Sequence, residues 1–437
     1  MLIKRKICAY AFLFCTGIMF MGCGGKKTSK SQSQLVGVLN RPEWSTLMPY
    51  GMTYVRAGYL IVGQTDEDVN MSLHQRPKSV TIAPFYMDET EITNNEYRQF
   101  VHWVRDSIAH VALDNMWESP SGQMLIDWDS YQLDYSPASP DAEELEFLFY
   151  DDSKRLNGRR EIDVHKLIYK WEWIDLRKAA KMSREDAAQK RAELIQREEE
   201  AIYPDTLVWI RDYEYAYNEP MTEGYFSHPA YDDYPVVGVT WKQAEAFCFW
   251  RTQIWDISIT GAGKKGKQKT KLVDAPRFAL PTEYEFEYAA RGGRVSSTYP
   301  WGLTYLRNSK GCLLANFKPG RGNYVEDGGF YTTKVGFYSP NDFGLYDMAG
   351  NVSEWTQSAF HENAQSFIHD MNPSVTYNAK DDDPETWKRK AVRGGSWKDV
   401  GYYLQTGVRD YEYQDTTKSY LGFRTIMAFR GRSLADN

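Results

Sequence analysis

The sequence predicts an α+β fold with much irregular backbone. Three observations lead there. Helix starts are marked by capping signals at Thr93-Asn94-Asn95-Glu96 and Thr282-Glu283-Tyr284-Glu285. Apolar runs at residues 52–63 and 234–239 have the length and partial alternation of strands. Beyond Gly293 turn residues dominate, which leaves room only for short strands. No internal repeat is visible. The 437 residues carry a net charge of -7, so a nucleic-acid partner has no electrostatic support. Aromatic residues reach 15%, with 31 Tyr and 14 Trp, which suits rigid cores and contact surfaces.

The chain opens like an export signal. Lys4, Arg5 and Lys6 precede an apolar stretch from Ile7 to Phe20, too short for a comfortable membrane-spanning helix. The stretch ends at Phe20-Met21-Gly22-Cys23, which resembles a bacterial lipobox despite Phe in place of the usual Leu. The expectation is a signal peptide over residues 1–22 and lipidation of Cys23, an anchor of several acyl chains. The other reading is an ordinary secretory signal with an incidental cysteine. Gly24 rather than Asp follows the cysteine, so the outer membrane is the expected address. Residues 23–34 are small and polar and read as a flexible tether.

Strands are expected at residues 52–63 and 80–87, then a helix capped by Thr93 with Phe100, Val101 and Val104 on its apolar face. Residues 111–227 look unlike their surroundings. Residues 141–152 are acidic with interleaved Phe147, Phe149 and Tyr150, and residues 183–202 read as one charged helix with apolar pairs every seven residues. That helix is expected either to lie solvated on its own domain or to meet a partner. After it come a short strand at residues 234–239, a helix capped by Thr240 from Trp241 to Arg251, and one capped by Thr282 to Arg291, stopped by Gly292-Gly293.

Gly261-Ala262-Gly263-Lys264-Lys265-Gly266-Lys267 satisfies a dinucleotide pattern on paper and nearly satisfies a phosphate-loop one. Gln268 lacks the magnesium-binding hydroxyl, and no apolar helical face follows, so a basic surface loop is expected. The seven histidines show no metal-binding spacing. An oxygen-rich turn is more informative. Asp347 and Glu354 flank Met348-Ala349-Gly350-Asn351-Val352-Ser353, and Asn316 with Asp327-Gly328-Gly329 forms a second such set. Hard carboxylates with inward-aimed carbonyls suit calcium.

Residues Leu280 to Gly293 and Gly344 to Trp355, with Pro235 to Trp241, Arg393-Gly394-Gly395-Ser396-Trp397 and Gly422-Phe423-Arg424, stand in the order of the formylglycine-generating enzyme (sulfatase-modifying factor) family, which the chain resembles. The resemblance implies an irregular fold related to C-type lectins over residues 35–110 and 228–430. Residues 111–227 then become a largely helical insertion, expected as an interaction segment. The resemblance also implies two structural calcium sites. One would use the side chains of Asn316 and Asp327 with the carbonyls of Phe317 and Gly329. The other would use Asp347 and Glu354 with the carbonyls of Gly350 and Val352.

Enzymes of the family oxidise a substrate cysteine with copper held by two cysteines, a demand that follows from the affinity of Cu(I) for sulfur. Here those positions fall on Asp399 and Leu404, so no copper and no catalytic residue is expected. A family cysteine that pairs with the one after Gly-Phe-Arg corresponds to Cys248, but Thr425 stands opposite, and a buried free thiol is expected. Among relatives, the lipobox, Pro49-Tyr50-Gly51-Met52 and Glu91 to Phe100 look like the GldK/PorK-type lipoproteins of type IX secretion and gliding. That likeness implies self-association in a periplasmic ring beneath the outer membrane with a GldN/PorN-like partner, and contact with GldL/GldM-type motor proteins. The alternatives are a surface-exposed ligand-binding lipoprotein and, less favoured, an active oxidase.

Overall fold

The computed structural model describes residues 48–63, 77–119, 122, 124–212, 219–260, 276–320, 323, 325 and 329–431. Cys23, the tether, the basic run 261–267 and Asp327 lie outside the described residues.

Each N-terminal apolar run is broken into two strands. The first gives β1 (Met52–Val55) and β2 (Gly58–Val62), the second β3 (Lys78–Ile82) and β4 (Phe85–Asp88). The breaks have local causes. The Arg56 carbonyl accepts a hydrogen bond from the Tyr288 hydroxyl at 3.0 Å. Pro84 has no N–H for a ladder, and the Ala83 N–H goes to Asn372 Oδ1 at 2.6 Å. β1 therefore pairs with β4, and β2 with β3, in different sheets. The next element is α1 (Asn94–Ala112), with the reciprocal Thr93/Glu96 capping box that the sequence predicts.

The insertion is mixed rather than largely helical. It holds one hairpin of β5 (Met116–Glu118) and β6 (Met124–Ile126) and a longer one of β7 (Ile168–Ile174) and β8 (Ile195–Ala201), with short helical turns between. The single charged helix expected over residues 183–202 does not form. Helical turns at Arg184–Gln189 and Arg191–Leu194 give way to β8. An aromatic wall decides this: Trp173, Trp171 and Tyr169 pair across the hairpin with Gln196, Glu198 and Glu200. On the opposite face Lys170 pairs with Glu199 and Arg197 with Glu172. A strand thus satisfies both faces, whereas a helix would leave the aromatic face uncovered.

Residues 234–239 form no strand; only Pro235 bridges to Thr93. Then α2 (Trp241–Thr260) runs on past the expected end at Arg251. Thr240 and Gln243 cap it reciprocally, at 3.1 and 2.9 Å. β9 (Phe278–Ala279) and α3 (Glu283–Ala290) follow, the latter with the expected Thr282/Glu285 box. The chain closes with β10 (Ser353–Ala359), β11 (Arg389–Arg393), β12 (Asp410–Tyr413), β13 (Leu421–Gly422) and β14 (Ile426–Ala428). Two four-stranded sheets result, in the orders β1-β4-β14-β9 and β12-β11-β10-β13.

Residues 46–430 pack as one unit. Its largest apolar cluster joins α1 (Tyr97, Phe100), α2 (Phe247, Trp250) and the motif residues Trp355 and Phe423 to Leu167, Tyr169, Trp171 and Ile202 of the insertion. A second cluster sets α3 against β2, β3 and β4. Among the described residues no helix is long and apolar enough to cross a membrane.

Candidate functional site

The charged residues of the sequence motifs meet in the interior as ion pairs. Glu287 accepts from Arg291 at 2.7 Å and also from Arg393. Glu283 holds Arg409 through two bonds of 2.8 Å. Glu354 holds Arg424 in the same forked manner, at 2.8 to 3.0 Å. The carboxylates are fully buried and the guanidiniums nearly so. Such pairs gain from forked geometry, and the loss of one partner strands the other in a medium of low polarity. These pairs tie α3 to β11 and to the start of β12, and β10 to the segment after β13.

The expected oxygen-rich turn lies beside this frame. Asp347, Gly350 and Asn351 all adopt positive φ (51°, 85° and 62°), a sharply curled backbone that Asp and Asn tolerate best among residues with side chains. Gly350 is required by proximity as well: a Cβ there would stand 2.5 Å from the Asn316 carbonyl oxygen. That carbonyl accepts the Asn351 N–H at 2.9 Å, so the two expected calcium sets are spatial neighbours. Asn316 also reaches Gly329, since its Oδ1 is 2.6 Å from where a Cβ of Gly329 would lie. Phe317 directs its ring into an apolar cluster with Leu313, Ala349 and Leu404.

A third carboxylate, not assigned from the sequence, completes the group. Glu91 is fully buried beside Asp347; one oxygen accepts from Asn351 Nδ2 at 3.1 Å. Burial, then the charge of Asp347, pushes its carboxyl well above the usual range. Asp347 accepts from the Gly336 N–H at 2.6 Å, and burial raises it to about 6. Burial also raises Glu354 despite Arg424. Three carboxyls thus face one guanidinium, and a divalent cation among them would favour the ionised forms that burial opposes. Among the described residues, no three His, Cys, Asp or Glu side chains converge in metal-ligand geometry. A cation here would draw on Asp347 and backbone carbonyls, because Glu354 is already held by Arg424. The only available sequence signal for Glu91 was an acidic residue two positions before a helix cap.

Asp399 and Leu404 are both committed elsewhere. Asp399 Oδ2 accepts from the Ser396 N–H at 2.9 Å and the Ser396 hydroxyl at 2.6 Å, closing the turn after Arg393-Gly394-Gly395. Leu404 is 1% exposed in the cluster with Phe317 and Ala349. Cys248 and Cys312 are free thiols, and burial pushes the Cys248 thiol well up, so it stays protonated and inert at neutral pH. Thr425 instead donates to Asp88 at 2.8 Å, within a network that Arg251 completes. The insertion also packs on this region. Trp209 stacks on Trp397 with ring centres 5.9 Å apart, and Asp212 accepts from the Ser419 N–H and hydroxyl at 2.9 and 2.7 Å.

Residues 41–429 match the family profile described as "Sulfatase-modifying factor enzyme 1-like domain". An inactive C-alpha-formylglycine-generating enzyme 2 from Bos taurus is 32% identical over 198 residues, 44% of this chain and 50% of its own. A formylglycine-generating enzyme from Mycobacterium tuberculosis is 33% identical over 205 residues, 44% of this chain and 57% of its own. The chain spans about half the length of the curated relatives it matches. Among solved structures, PvdO from Pseudomonas aeruginosa aligns with a TM-score of 0.46 at 17% identity, covering 86% of this chain and 94% of that one. Active and inactive relatives are equally similar, so overall identity does not separate the two; individual residues must.

Proposed function

The chain belongs to the sulfatase-modifying factor enzyme 1-like domain family, and from that premise we propose that it is a structural, catalytically inactive member, anchored by Cys23 to the outer membrane with its body in the periplasm. One observation carries the inactivity. Where the family's enzymes hold copper with two thiolates, Asp399 closes a turn and Leu404 fills the core. Neither side chain ligates soft copper, and neither is free to be replaced by a neighbour. The presence of inactive proteins among the relatives supports the reading. Purified protein incubated with copper and a sulfatase-derived peptide should leave the peptide cysteine unchanged; conversion to formylglycine would overturn it.

The finer assignment is to the type IX secretion and gliding machinery, in a ring of this chain with a GldN/PorN-like partner, adjoining GldL/GldM-type motor proteins. It rests on the N-terminal segments named above and on the motif charges being used as scaffold. Deleting the gene should block secretion and gliding together; normal secretion would sink the assignment.

Structural calcium belongs to the same proposal. Asp347, with the carbonyls of Gly350 and Val352 in the same turn, would hold one ion beside the carboxyls of Glu354 and Glu91; Asn316, Phe317, Gly329 and Asp327 would supply the neighbouring set. The ion would offset the buried negative charge and rigidify the turn. Chelation should lower the melting temperature and added calcium should restore it, because a ligand of the native state alone stabilises by mass action. An unchanged melting temperature would count against it.

A further inference from the structure

A cavity of about 880 Å³ lies between the β7–β8 hairpin, α2 and the segment at residues 376–381. It lies apart from the turn and the Asp399 region. Aromatic side chains form part of its wall: Trp173, Phe249 and Tyr377. Six acidic residues line it: Glu198, Glu199 and Glu200 on β8, Glu245 on α2, Asp175 after β7, and Asp381.

The placement of these carboxylates is unusual. Glu198 and Glu200 pair across the hairpin with Trp171 and Tyr169, on the face turned toward the core. Packing alone asks for apolar residues there. The outward face of the same hairpin carries the neutralised pairs Lys170–Glu199 and Arg197–Glu172. The inward carboxylates have no such partner: the side chains of Glu198, Glu200 and Glu245 make no hydrogen bond or ion pair among the described residues. Glu245 keeps only a small face toward the cavity and is otherwise surrounded by protein; burial, and then the charge of Glu198, raises it to about 7. Arg177, Arg277 and Lys380 also line the cavity and are exposed, whereas the two cations whose charge reaches these carboxylates are occupied. Lys242 lies 3.3 Å from Asp381, and Lys390 donates to the Tyr377 carbonyl at 2.7 Å while sitting 3.6 Å over the Trp241 ring. Half-buried carboxylates without partners lower stability, and natural chains keep such local conflicts where function needs them.

We propose that this cleft binds an arginine- or lysine-bearing segment of a partner polypeptide. Carboxylates without partners, set among aromatic faces, recognise a cationic head by charge and by cation–π contact, and they gain more in a half-desolvated cleft than at an open surface. A polypeptide fits better than a lone amine. The cavity is far larger than one ammonium group requires, and Glu198 and Glu200, two residues apart on a strand, are spaced at about 7 Å. That repeat equals the spacing of alternate side chains on an extended peptide. The inference does not depend on the secretion assignment, since a binding measurement reports on the cleft alone.

The test uses the purified chain and a fluorescein-labelled hexapeptide of alternating glycine and arginine, read by fluorescence anisotropy. Saturable binding is expected, and the same peptide with citrulline for arginine should not bind. Glu198→Gln with Glu245→Gln should weaken binding by about tenfold or more. Glu172→Gln with Glu185→Gln removes the same charge outside the cavity lining and should leave affinity within about twofold. Trp173→Ala, at the half-exposed end of the hairpin, serves as a second cleft variant if the double variant fails to fold. Absence of binding, equal binding of the citrulline peptide, equal weakening by both double variants, or spermidine competing as strongly as the peptide would each overturn the proposal.

Discussion

Arg424 illustrates how single residues decide this molecule. Its guanidinium is fully buried and meets both oxygens of Glu354, while Glu91 and Asp347 stand close behind. Arg424→Met should cost about 3–5 kcal/mol in urea denaturation, because three carboxyls lose their shared cation. Glu245 offers a test of opposite sign. Its folded carboxyl titrates near 7, above its ordinary 4.5, through burial and Glu198, with Lys390 and Lys242 pulling the other way. A raised carboxyl contributes stability below the unfolded value and loses it as pH rises through the folded one. Glu245→Gln escapes that loss. It should therefore gain on the parent protein by about 1–3 kcal/mol between pH 5 and pH 8 in denaturant melts. The residue types of the Gly344–Trp355 turn were legible in the sequence. The part played by Glu91 was not, because nothing local marks a carboxylate that the fold carries inward from a distant segment.

At the scale of elements, caps were legible and strand boundaries were not. Thr93, Thr240 and Thr282 each start a helix as predicted, since a capping box is a contact within four residues. The apolar runs at residues 52–63 and 80–87 looked continuous, yet each splits where a distant group, Tyr288 or Asn372, takes a backbone partner. The charged segment 183–202 became partly a strand because Trp171 and Tyr169 lie opposite it in space. Another element-level contact is Trp209 on the helical turn Val208–Asp212, buried against Trp397, Tyr225 and Tyr331. Trp209→Ala should lower stability by about 3–5 kcal/mol and speed proteolysis within residues 203–227, measured by limited digestion. An unchanged digestion pattern would mean that this turn is held by Asp212 and Arg211 instead.

For the whole molecule, residues 111–227 share a core with the segments on either side of them. Leu167, Tyr169, Trp171 and Ile202 lie in the same apolar cluster as Tyr97, Phe247, Trp355 and Phe423. Deleting residues 111–227 should therefore abolish cooperative folding, seen as loss of near-ultraviolet circular dichroism and of a sharp melt. A stable, cooperatively folding remainder would contradict it. The sequence alone determined the family, the α+β class, the helix caps, and the absence of thiols at positions 399 and 404, because these depend on residue identity and short spacings. Only the tertiary structure decided the rest. It brought Glu91 to Asp347, set Asn316 beside Gly350, bound the insertion into the core, and turned Glu198 and Glu200 inward over α2. Burial and charge balance are properties of groups that meet in space, and residues hundreds of positions apart meet only once the chain has folded.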